Sequence, residues 1–167
     1  MKQKKNSDIR KIDWVKRIEI KDEEKKGKIL NKAKGVIKRW VLKMPEIFEP
    51  IILDFGYNDF KNIGHIEFII ANQIEEGYCG KFIFMFTGQR CPKHFHKKKH
   101  ETFFVLKGEI LMEIDGKKVI LKQGDILPVE TGVSHTFRAL KNSLIIEVSQ
   151  PSIKNDNFFK DERIGVI

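Results

Sequence analysis

The chain has 167 residues and a formal net charge of +9, with 41% hydrophobic and 33% charged residues. This length and composition fit one soluble globular domain with a sizeable core. Because the sequence has neither an apolar run long enough to span a bilayer nor an apolar N-terminal signal segment, we expect a cytoplasmic protein. Cys79 and Cys91 form no Cys-x2-Cys pair, which excludes a zinc knuckle and gives no sign of a disulfide framework.

The basic excess lies at the N-terminus. Residues 1–44 contain sixteen Lys or Arg and six Asp or Glu, and the remainder has a net charge of −1. An apolar stripe at helical spacing predicts an amphipathic helix that ends near Met44-Pro45, and its members are Ile29, Leu30, Ala33, Val36, Ile37, Trp40 and Val41. We expect this helix to pack on its own β-domain or on a partner subunit, which would give a homodimer. Aromatic residues are not interleaved with the charges, so we expect no nucleic-acid or membrane partner.

From residue 45 onward the patterns are typical of strands. Short β-rich runs alternate with turn residues, and the Asp115-Gly116 pair is a strong hairpin signal. We therefore predict an all-β domain over residues 45–167 that follows a basic segment, residues 1–44, with the helix. The predicted strands span 50–57, 64–70, 81–86, 94–96, 101–106, 109–114, 118–121, 135–137 and 143–149.

Four residues have the spacing of a metal site. On a strand, His94 and His96 project from the same face, while Phe95 projects from the other. Residues 97–100 cannot easily bury their charges and are predicted to form a loop, after which Glu101 begins the next strand. His135 begins a later strand and supplies a fourth ligand. Three imidazoles and one carboxylate would hold one divalent ion, for which we take Mn²⁺ first and Fe²⁺, Co²⁺, Ni²⁺ or Zn²⁺ as alternatives.

The same residues resemble the first motif of the cupin superfamily. From Gly88 the chain reads Gly-x5-His-x-His-x4-Glu-x6-Gly, ending at Gly108, which matches every fixed position. The second motif matches more loosely: Gly124, Gly132 and His135 are present, but Glu130 replaces a proline and Ala139 replaces an asparagine. The resemblance implies a double-stranded β-helix, or jelly-roll barrel, with the metal in its mouth.

The flanking residues resemble the bacterial D-lyxose isomerase family of cupins. The similar stretches are Tyr78-Cys79-x-Lys81, Gly88-Gln89-x-Cys91-Pro92, Lys99-x-Glu101-Thr102-Phe103, Glu147-Val148-Ser149 and the tail from Asp156 to Ile164. The resemblance implies a metal-dependent aldose–ketose isomerase that acts on a small sugar of the D-lyxose or D-mannose type through a cis-enediol.

Further site residues are assigned on this basis. The resemblance implies that Lys99 transfers a proton or polarises a hydroxyl group, although three consecutive lysines are usually exposed to solvent. Glu147 lies in an apolar run where an unpaired buried carboxylate would be costly, so we predict either the general base, a structural ion pair or an outward-facing position. Lys81, Asp156 and Arg163 are weaker candidates for binding sugar hydroxyls.

Two further functions use the same ligand pattern. One is a non-catalytic cupin that binds a sugar or serves a sugar pathway. The other is a metal-dependent dioxygenase, which has the same three-histidine, one-glutamate ligand set. The ligand pattern alone does not separate these functions from the isomerase.

Overall fold

A computed structural model describes residues 12–42, 44 and 49–167. Residues 1–11, and Pro45 of the predicted helix stop, lie outside this part of the chain. The described residues form a 3-10 helix, one α-helix and eleven strands: Asp13–Arg17 (3-10), Glu23–Arg39 (α1), Ile51–Leu53 (β1), His65–Gln73 (β2), Tyr78–Met85 (β3), Arg90–His96 (β4), Glu101–Lys107 (β5), Glu109–Ile114 (β6), Lys117–Lys122 (β7), Ile126–Val129 (β8), His135–Ala139 (β9), Ser143–Ser149 (β10) and Asn157–Phe159 (β11).

The strands form two antiparallel sheets, in the orders β1-β2-β3-β10-β5-β8 and β11-β4-β9-β6-β7. The inward side chains of both sheets share one hydrophobic core, to which β3 contributes Ile83, β5 contributes Phe103 and β9 contributes Phe137. The all-β prediction is confirmed. The hydrogen-bonded ladders end at the outer strands, so the predicted barrel is two facing sheets without full closure.

Two turns show one strand prediction that was confirmed and one that was wrong. Asp115 and Gly116 have φ angles of 46° and 81°, which fit the tight turn that joins β6 to β7, and the predicted hairpin is confirmed. The predicted strand over residues 50–57 was too long. β1 ends at Leu53, since Phe55 and Gly56 adopt positive φ angles of 56° and 78° that turn the chain out of the sheet.

The helix has defined caps at both ends. The Asp22 carboxylate accepts a hydrogen bond from the backbone N–H of Lys25 at 2.9 Å, which satisfies one unpaired donor of the first turn. At the other end, Val41 has a φ angle of 60°, and the N–H of Leu42 returns to the carbonyl of Ile37 in a Schellman arrangement. The helix therefore ends at Arg39, before the predicted stop. Val41 is 91% exposed and was wrongly included in the apolar stripe.

The rest of the apolar stripe packs against the chain's own β-domain. Ala33, Val36 and Ile37 share a core cluster with residues from the outer face of the six-stranded sheet, among them Phe84 and Leu144. Of the two sequence alternatives, packing on its own domain is the one observed. The homodimer and the division into 1–44 and 45–167 stay predictions. Among the described residues, none of the helices has the length and apolar character needed to cross a bilayer.

Replacement of Ile37 by Ala tests this packing. Ile37 is 2% exposed, so the substitution removes buried methyl groups and leaves a cavity between helix and sheet. We expect the free energy of unfolding to fall by about 2–5 kcal/mol, measured by chemical denaturation. Lys38→Ala at the exposed neighbouring position is the control, with an expected change within about 0.5 kcal/mol. Equal effects at the two positions would contradict a packed helix.

Candidate active site

The four predicted metal ligands come together where the two sheets meet. His94 and His135 are directly paired across β4 and β9 in one sheet, and Glu101 begins β5 in the other. Together with His96 they offer ligand atoms that all lie within 4.8 Å of one another, and all four side chains are buried. The register of two separate sheets therefore assembles the cluster predicted from spacing.

Backbone carbonyls fix the orientation of the three imidazoles. The Nδ1 atoms of His94, His96 and His135 lie 2.9, 2.9 and 3.2 Å from the carbonyl oxygens of Pro92, Asp156 and Val133. Such a contact assigns the proton to Nδ1 and leaves Nε2 as the ligand atom, as is common for metal-binding histidines.

The donor set fits a divalent metal ion. Nε2 of His96, Nε2 of His135 and Oε2 of Glu101 are buried. The two nitrogen atoms lie 3.3 and 3.1 Å from the Glu101 oxygens, but with the proton on Nδ1 neither can donate to the carboxylate. The three atoms therefore have no hydrogen-bond partner in the described part of the chain. Buried polar atoms are normally paired, so three unpaired atoms in one cluster indicate a missing ligand. Nitrogen and oxygen donors without thiolate favour Mn²⁺, Fe²⁺, Co²⁺, Ni²⁺ or Zn²⁺.

Electrostatic contacts keep the ligand cluster in the protonation states that can bind a cation. Burial and the neighbouring imidazoles of His135 and His96 hold the pKa of His94 well below its usual range, so the ring is neutral. Burial would raise the pKa of Glu101, but the charge of Lys99 outweighs it and holds this pKa well below its usual range. Neutral imidazole and ionised carboxylate are the forms that bind metal.

A row of buried ion pairs leads away from the ligand Glu101. Lys99 Nζ lies 2.7 Å from Glu101 Oε1 and 3.0 Å from Glu147 Oε1. Lys81 Nζ lies 3.1 Å from Glu147 Oε2 and 2.9 Å from Glu67 Oε1. The row therefore alternates in charge from the ligand cluster through Lys99, Glu147 and Lys81 to Glu67.

The two lysines in this row are ammonium ions. Burial lowers the pKa of each, but Glu101 and Glu147 together raise that of Lys99, and Glu147 and Glu67 raise that of Lys81 well above its usual range. The predicted loop over residues 97–100 is present, yet Lys99 is only 3% exposed. It is an interior charge of the site rather than a solvent-facing lysine.

The whole row lines one cavity together with three of the four predicted metal ligands. Glu67, Lys81, Lys99 and Glu147 form a polar wall beside His94, His96 and Glu101. Most of the remaining wall is apolar and includes Phe55, Phe103, Phe137 and Phe159 on the strands and loops, with Ile12, Val15 and Ile18 from the N-terminal segment. Lys81 and Glu147 thus lie where the sequence predicted site residues.

Asp156 has a different position from the one expected of a sugar-binding residue. Its carboxylate accepts hydrogen bonds from the backbone N–H groups of Lys97, Lys98 and Lys99 at 3.0–3.1 Å, and its carbonyl oxygen meets His96 Nδ1. It does not line the cavity. Asp156 therefore holds the loop that presents Lys99 and orients one metal ligand.

Replacement of Asp156 by Asn tests this clamp. The amide keeps an acceptor oxygen but loses the charge and turns an NH₂ group toward a backbone N–H. We expect the free energy of unfolding to fall by about 1–3 kcal/mol in chemical denaturation. Metal affinity should also fall, because a loosened loop shifts the backbone carbonyl of residue 156 that orients His96, and isothermal titration would measure this. Unchanged stability and unchanged metal affinity would contradict the clamp.

Arg163 lies outside the cavity. Its side chain is 73% exposed and pairs with Asp161 at 2.5 Å, while its guanidinium group stacks 4.5 Å from the ring centre of Tyr57. These contacts tie the C-terminal segment to the loop after β1. The structure does not bring Arg163 to the other site residues, and its sugar-binding role stays a prediction.

Two site residues were missed in the sequence. His65 and Glu67 occupy alternate positions of β2 and are 3% and 6% exposed. Their neighbours Ile66 and Phe68 face the helix, so in the sequence the polar positions look like an ordinary solvent-facing side of a strand. The available signal was a histidine and a glutamate, two residues apart, in an otherwise apolar run.

Comparisons with known proteins agree with this geometry. Residues 83–147 match the family model described as cupin domain, and residues 51–114 match the model described as D-lyxose isomerase. The solved structure of L-ribose isomerase from Geodermatophilus obscurus superimposes with a TM-score of 0.72 at 16% identity, covering 90% of this chain and 98% of that one. The chain has the cupin fold. The resemblances to cupins and to D-lyxose isomerases that the sequence indicated are confirmed.

Two curated proteins are similar to this chain in sequence. The D-lyxose/D-mannose isomerase of Thermosediminibacter oceani is 28% identical over 180 residues, which cover 90% of this chain and 95% of that protein. The quercetin 2,3-dioxygenase of Bacillus subtilis is 31% identical over 101 residues, which cover 58% of this chain but only 29% of that enzyme. The first similarity extends over almost the full length of both proteins, whereas the second is confined to part of the dioxygenase.

Steric contacts explain why one position of the first cupin motif is a glycine in this structure. Gly108 has a φ angle of 90°, and a Cβ atom there would lie 2.3 Å from the carbonyl oxygen of Asn142. Only glycine fits this turn between β5 and β6. The match to the first cupin motif therefore reflects backbone geometry as well as the cluster of candidate metal ligands.

Proposed function

We propose that this cupin is a divalent-metal-dependent aldose–ketose isomerase for a small free sugar of the D-lyxose or D-mannose type. The observation that carries the proposal is the position of Glu147. Its carboxylate lies between two ammonium groups, Lys99 and Lys81, in a cavity that three of the four ligands, His94, His96 and Glu101, also line. A metal site, a proton acceptor and fixed positive charges are what carbonyl transposition between C1 and C2 requires. Similarity to the isomerase of Thermosediminibacter oceani supports this choice.

Different residues of the site carry out different parts of the proposed reaction. His94, His96, Glu101 and His135 would hold the ion, which when bound supplies Lewis acidity toward the vicinal oxygens of the substrate. Glu147 removes the proton from C2 of the aldose and returns it to C1, through a cis-enediol. The second proton moves from the C2 oxygen to the C1 oxygen beside the ammonium group of Lys99, which stabilises negative charge there.

The apolar wall has its own role in this reaction. Phe103, Phe137 and Phe159 line the cavity beside the polar row, and Phe103 is the direct partner of Glu147 in the β5–β10 ladder. A low local dielectric strengthens the interactions between the ammonium groups and a developing negative charge. Lys81, at the other oxygen of Glu147, would donate a hydrogen bond to a sugar hydroxyl.

The finer parts of the proposal are the ion, the assembly and the compartment. We propose Mn²⁺ first, with Fe²⁺, Co²⁺, Ni²⁺ or Zn²⁺ as alternatives that the ligand types equally allow. We also propose a homodimer in the cytoplasm. Metal analysis of the purified protein and light scattering would test the ion and the assembly.

The experiment that tests the function is an aldose screen. The protein is reconstituted with Mn²⁺, its metal content is verified, and D-lyxose, D-mannose and L-ribose are supplied separately in D₂O. We expect ketose formation from at least one sugar, with solvent deuterium at C1 of the product detected by NMR. Absence of ketose from every aldose in metal-loaded protein would overturn the proposal.

An oxygen electrode in the same experiment distinguishes the isomerase from the dioxygenase alternative. Both activities use the same ligand set, but the charged row Lys99–Glu147–Lys81 serves proton transfer and has no evident use in oxygen insertion. We therefore expect no oxygen uptake during turnover. Oxygen uptake without ketose formation would favour the dioxygenase.

A further inference from the structure

The buried pair His65 and Glu67 has no part in the reaction as described above, yet it lines the same cavity as the ligand cluster. Both side chains lie on β2, at the end of the row farthest from the metal ligands. Glu67 Oε1 accepts from Lys81 Nζ at 2.9 Å and lies 3.1 Å from His65 Nε2. Because an ionised carboxylate only accepts, His65 donates through Nε2.

Stability alone is a poor reason for this pair. Removal of charges from water has a large desolvation penalty, and a well-packed apolar replacement of a buried ion pair is often neutral or stabilising. The surrounding core offers such apolar neighbours, since Phe55 and Phe137 pack against the His65 ring with centroids 5.3 and 6.1 Å away. A carboxylate kept in this setting points to a function in the cavity.

Glu67 is held as an anion in a fixed position. Burial would raise its pKa, but the charge of Lys81 and the hydrogen bond from His65 hold this pKa well below its usual range. The His65 ring is itself fixed by its aromatic neighbours. The carboxylate is therefore a rigid second partner for Lys81.

The position of Glu67 affects the contact between Lys81 and Glu147. Lys81 lies directly opposite Glu147 in the β3–β10 ladder, so Glu147 is the carboxylate on the neighbouring strand with which its ammonium group can pair. The structure instead shows one contact to Glu147 Oε2 at 3.1 Å and one to Glu67 at 2.9 Å. These two contacts use two of the three N–H donors of the lysine.

We propose that Glu67 is a positioning residue that holds the ammonium group of Lys81 toward β2. In this position Lys81 does not form a closer ion pair with Glu147, and its third N–H remains directed toward the sugar. The inference rests on the proposed function, because it concerns the base of that reaction. Glu147 already accepts from Lys99 and Ser149 at Oε1 and from Lys81 at Oε2. Without Glu67, the ammonium group of Lys81 moves closer to Glu147, and a more strongly paired carboxylate is a weaker proton acceptor. Glu67 acts through Lys81 and does not itself touch the reacting atoms.

A double-mutant cycle tests the proposal. Glu67→Gln, Lys81→Met and the double variant are prepared as metal-loaded proteins and assayed on the sugar that wild type converts. We expect Glu67→Gln to lower kcat about tenfold, with KM changed less than about threefold. In the Lys81→Met background the same change should have no further effect on kcat, since Lys81 is the group through which it acts. The double variant also removes both charges together, so no unpaired charge is left at these two positions.

Controls separate positioning from structural damage. Glu113→Gln removes an equivalent strand carboxylate that pairs with Lys93 at 2.5 Å outside the cavity, and it should leave kcat unchanged. Metal content and thermal unfolding are recorded for every variant. Multiplicative effects of the two substitutions, or a kcat of Glu67→Gln within twofold of wild type, would overturn the inference.

A crystal structure of Glu67→Gln gives a readout that needs no activity. We expect Lys81 Nζ to leave its position near β2 and to contact both oxygens of Glu147. An unmoved Lys81 overturns the positioning role even if the protein proves not to be an isomerase. Conversely, a moved Lys81 in a protein that converts no aldose supports the positioning and rejects the proposed function, so the two failures are distinct.

Discussion

Glu147→Gln is expected to abolish turnover while the protein keeps its metal ion and its sugar. The carboxylate is the proposed proton acceptor, and loss of a positioned general base typically lowers kcat by roughly 10²–10⁴-fold. Glutamine has nearly the same shape but cannot accept the proton. Kinetic assays with the sugar identified in the screen would give kcat, and calorimetric titration would give the affinity for that sugar.

The fold should tolerate this substitution, because the neighbouring lysines keep other carboxylates. Lys99 retains Glu101 at 2.7 Å, and Lys81 retains Glu67 at 2.9 Å. The amide oxygen can still accept a hydrogen bond from one of them. We therefore expect wild-type metal content and a sugar affinity within about threefold of wild type, as for a group that acts in the transition state only.

Exchange of the C2 proton provides a second measurement. Wild type should release the C2 hydrogen of the aldose to solvent or transfer it to C1, and Glu147→Gln should do neither. Glu109→Gln is the control, because Glu109 pairs with Lys141 on the surface at 2.9 Å and contacts no site residue in that pair. A Glu147→Gln variant with unchanged turnover would remove Glu147 from the mechanism.

The sequence was sufficient for the parts of the site that depend on local periodicity. Alternation along a strand placed His94 and His96 on one face, and Glu101 at a strand start completed the set. For Glu147, the apolar run left three alternatives open: a general base, a structural ion pair or an outward position. The structure excludes the outward position and shows Glu147 paired with two lysines while it lines the cavity.

The features that the sequence did not show depend on partners far away in the chain. Lys99 is buried and pairs with Glu147, 48 residues later on the neighbouring strand, and three consecutive lysines give no sign of this. Asp156 was expected at the sugar, yet its partners are backbone N–H groups 57–59 residues earlier. Backbone donors leave no trace in a residue pattern, so this clamp is visible only in three dimensions.

The outer face of the six-stranded sheet shows the same limit. Ile66 and Phe68 are covered by α1, a helix from a part of the chain predicted as a separate segment. With both faces of β2 buried, polar residues on it cannot be assigned to solvent from alternation alone. His65 and Glu67 were missed for this reason.

His135→Ala is expected to remove the bound metal and, with it, the activity. His135 offers Nε2, a buried atom without a hydrogen-bond partner in the described chain, and it lies 3.1 Å from Glu101 Oε2. Loss of one ligand of four should weaken metal affinity by roughly 100-fold or more, since even groups that only orient a ligand contribute 10–100-fold. Equilibrium dialysis against Mn²⁺ and against Zn²⁺, followed by elemental analysis, would measure this.

Thermal unfolding links metal binding to stability. A ligand that binds only the folded state stabilises it by about 2.7 kcal/mol when its free concentration is 100 times its Kd. Added metal should therefore raise the Tm of wild type and leave that of His135→Ala unchanged. A chelator should lower the wild-type Tm to its metal-free value and have no effect on the variant.

His100→Ala is the matched control for this experiment. His100 lies in the same loop region as Lys99, but its side chain is 32% exposed and lies 3.4 Å from Glu130 instead of facing the ligand cluster. Metal content, Tm response and activity should remain at wild-type values in this variant. If His135→Ala retained one equivalent of metal, the ion would bind elsewhere. Metal binding would then no longer explain the three unpaired ligand atoms of His96, Glu101 and His135. Both the isomerase and the dioxygenase hypotheses depend on a metal ion at these atoms.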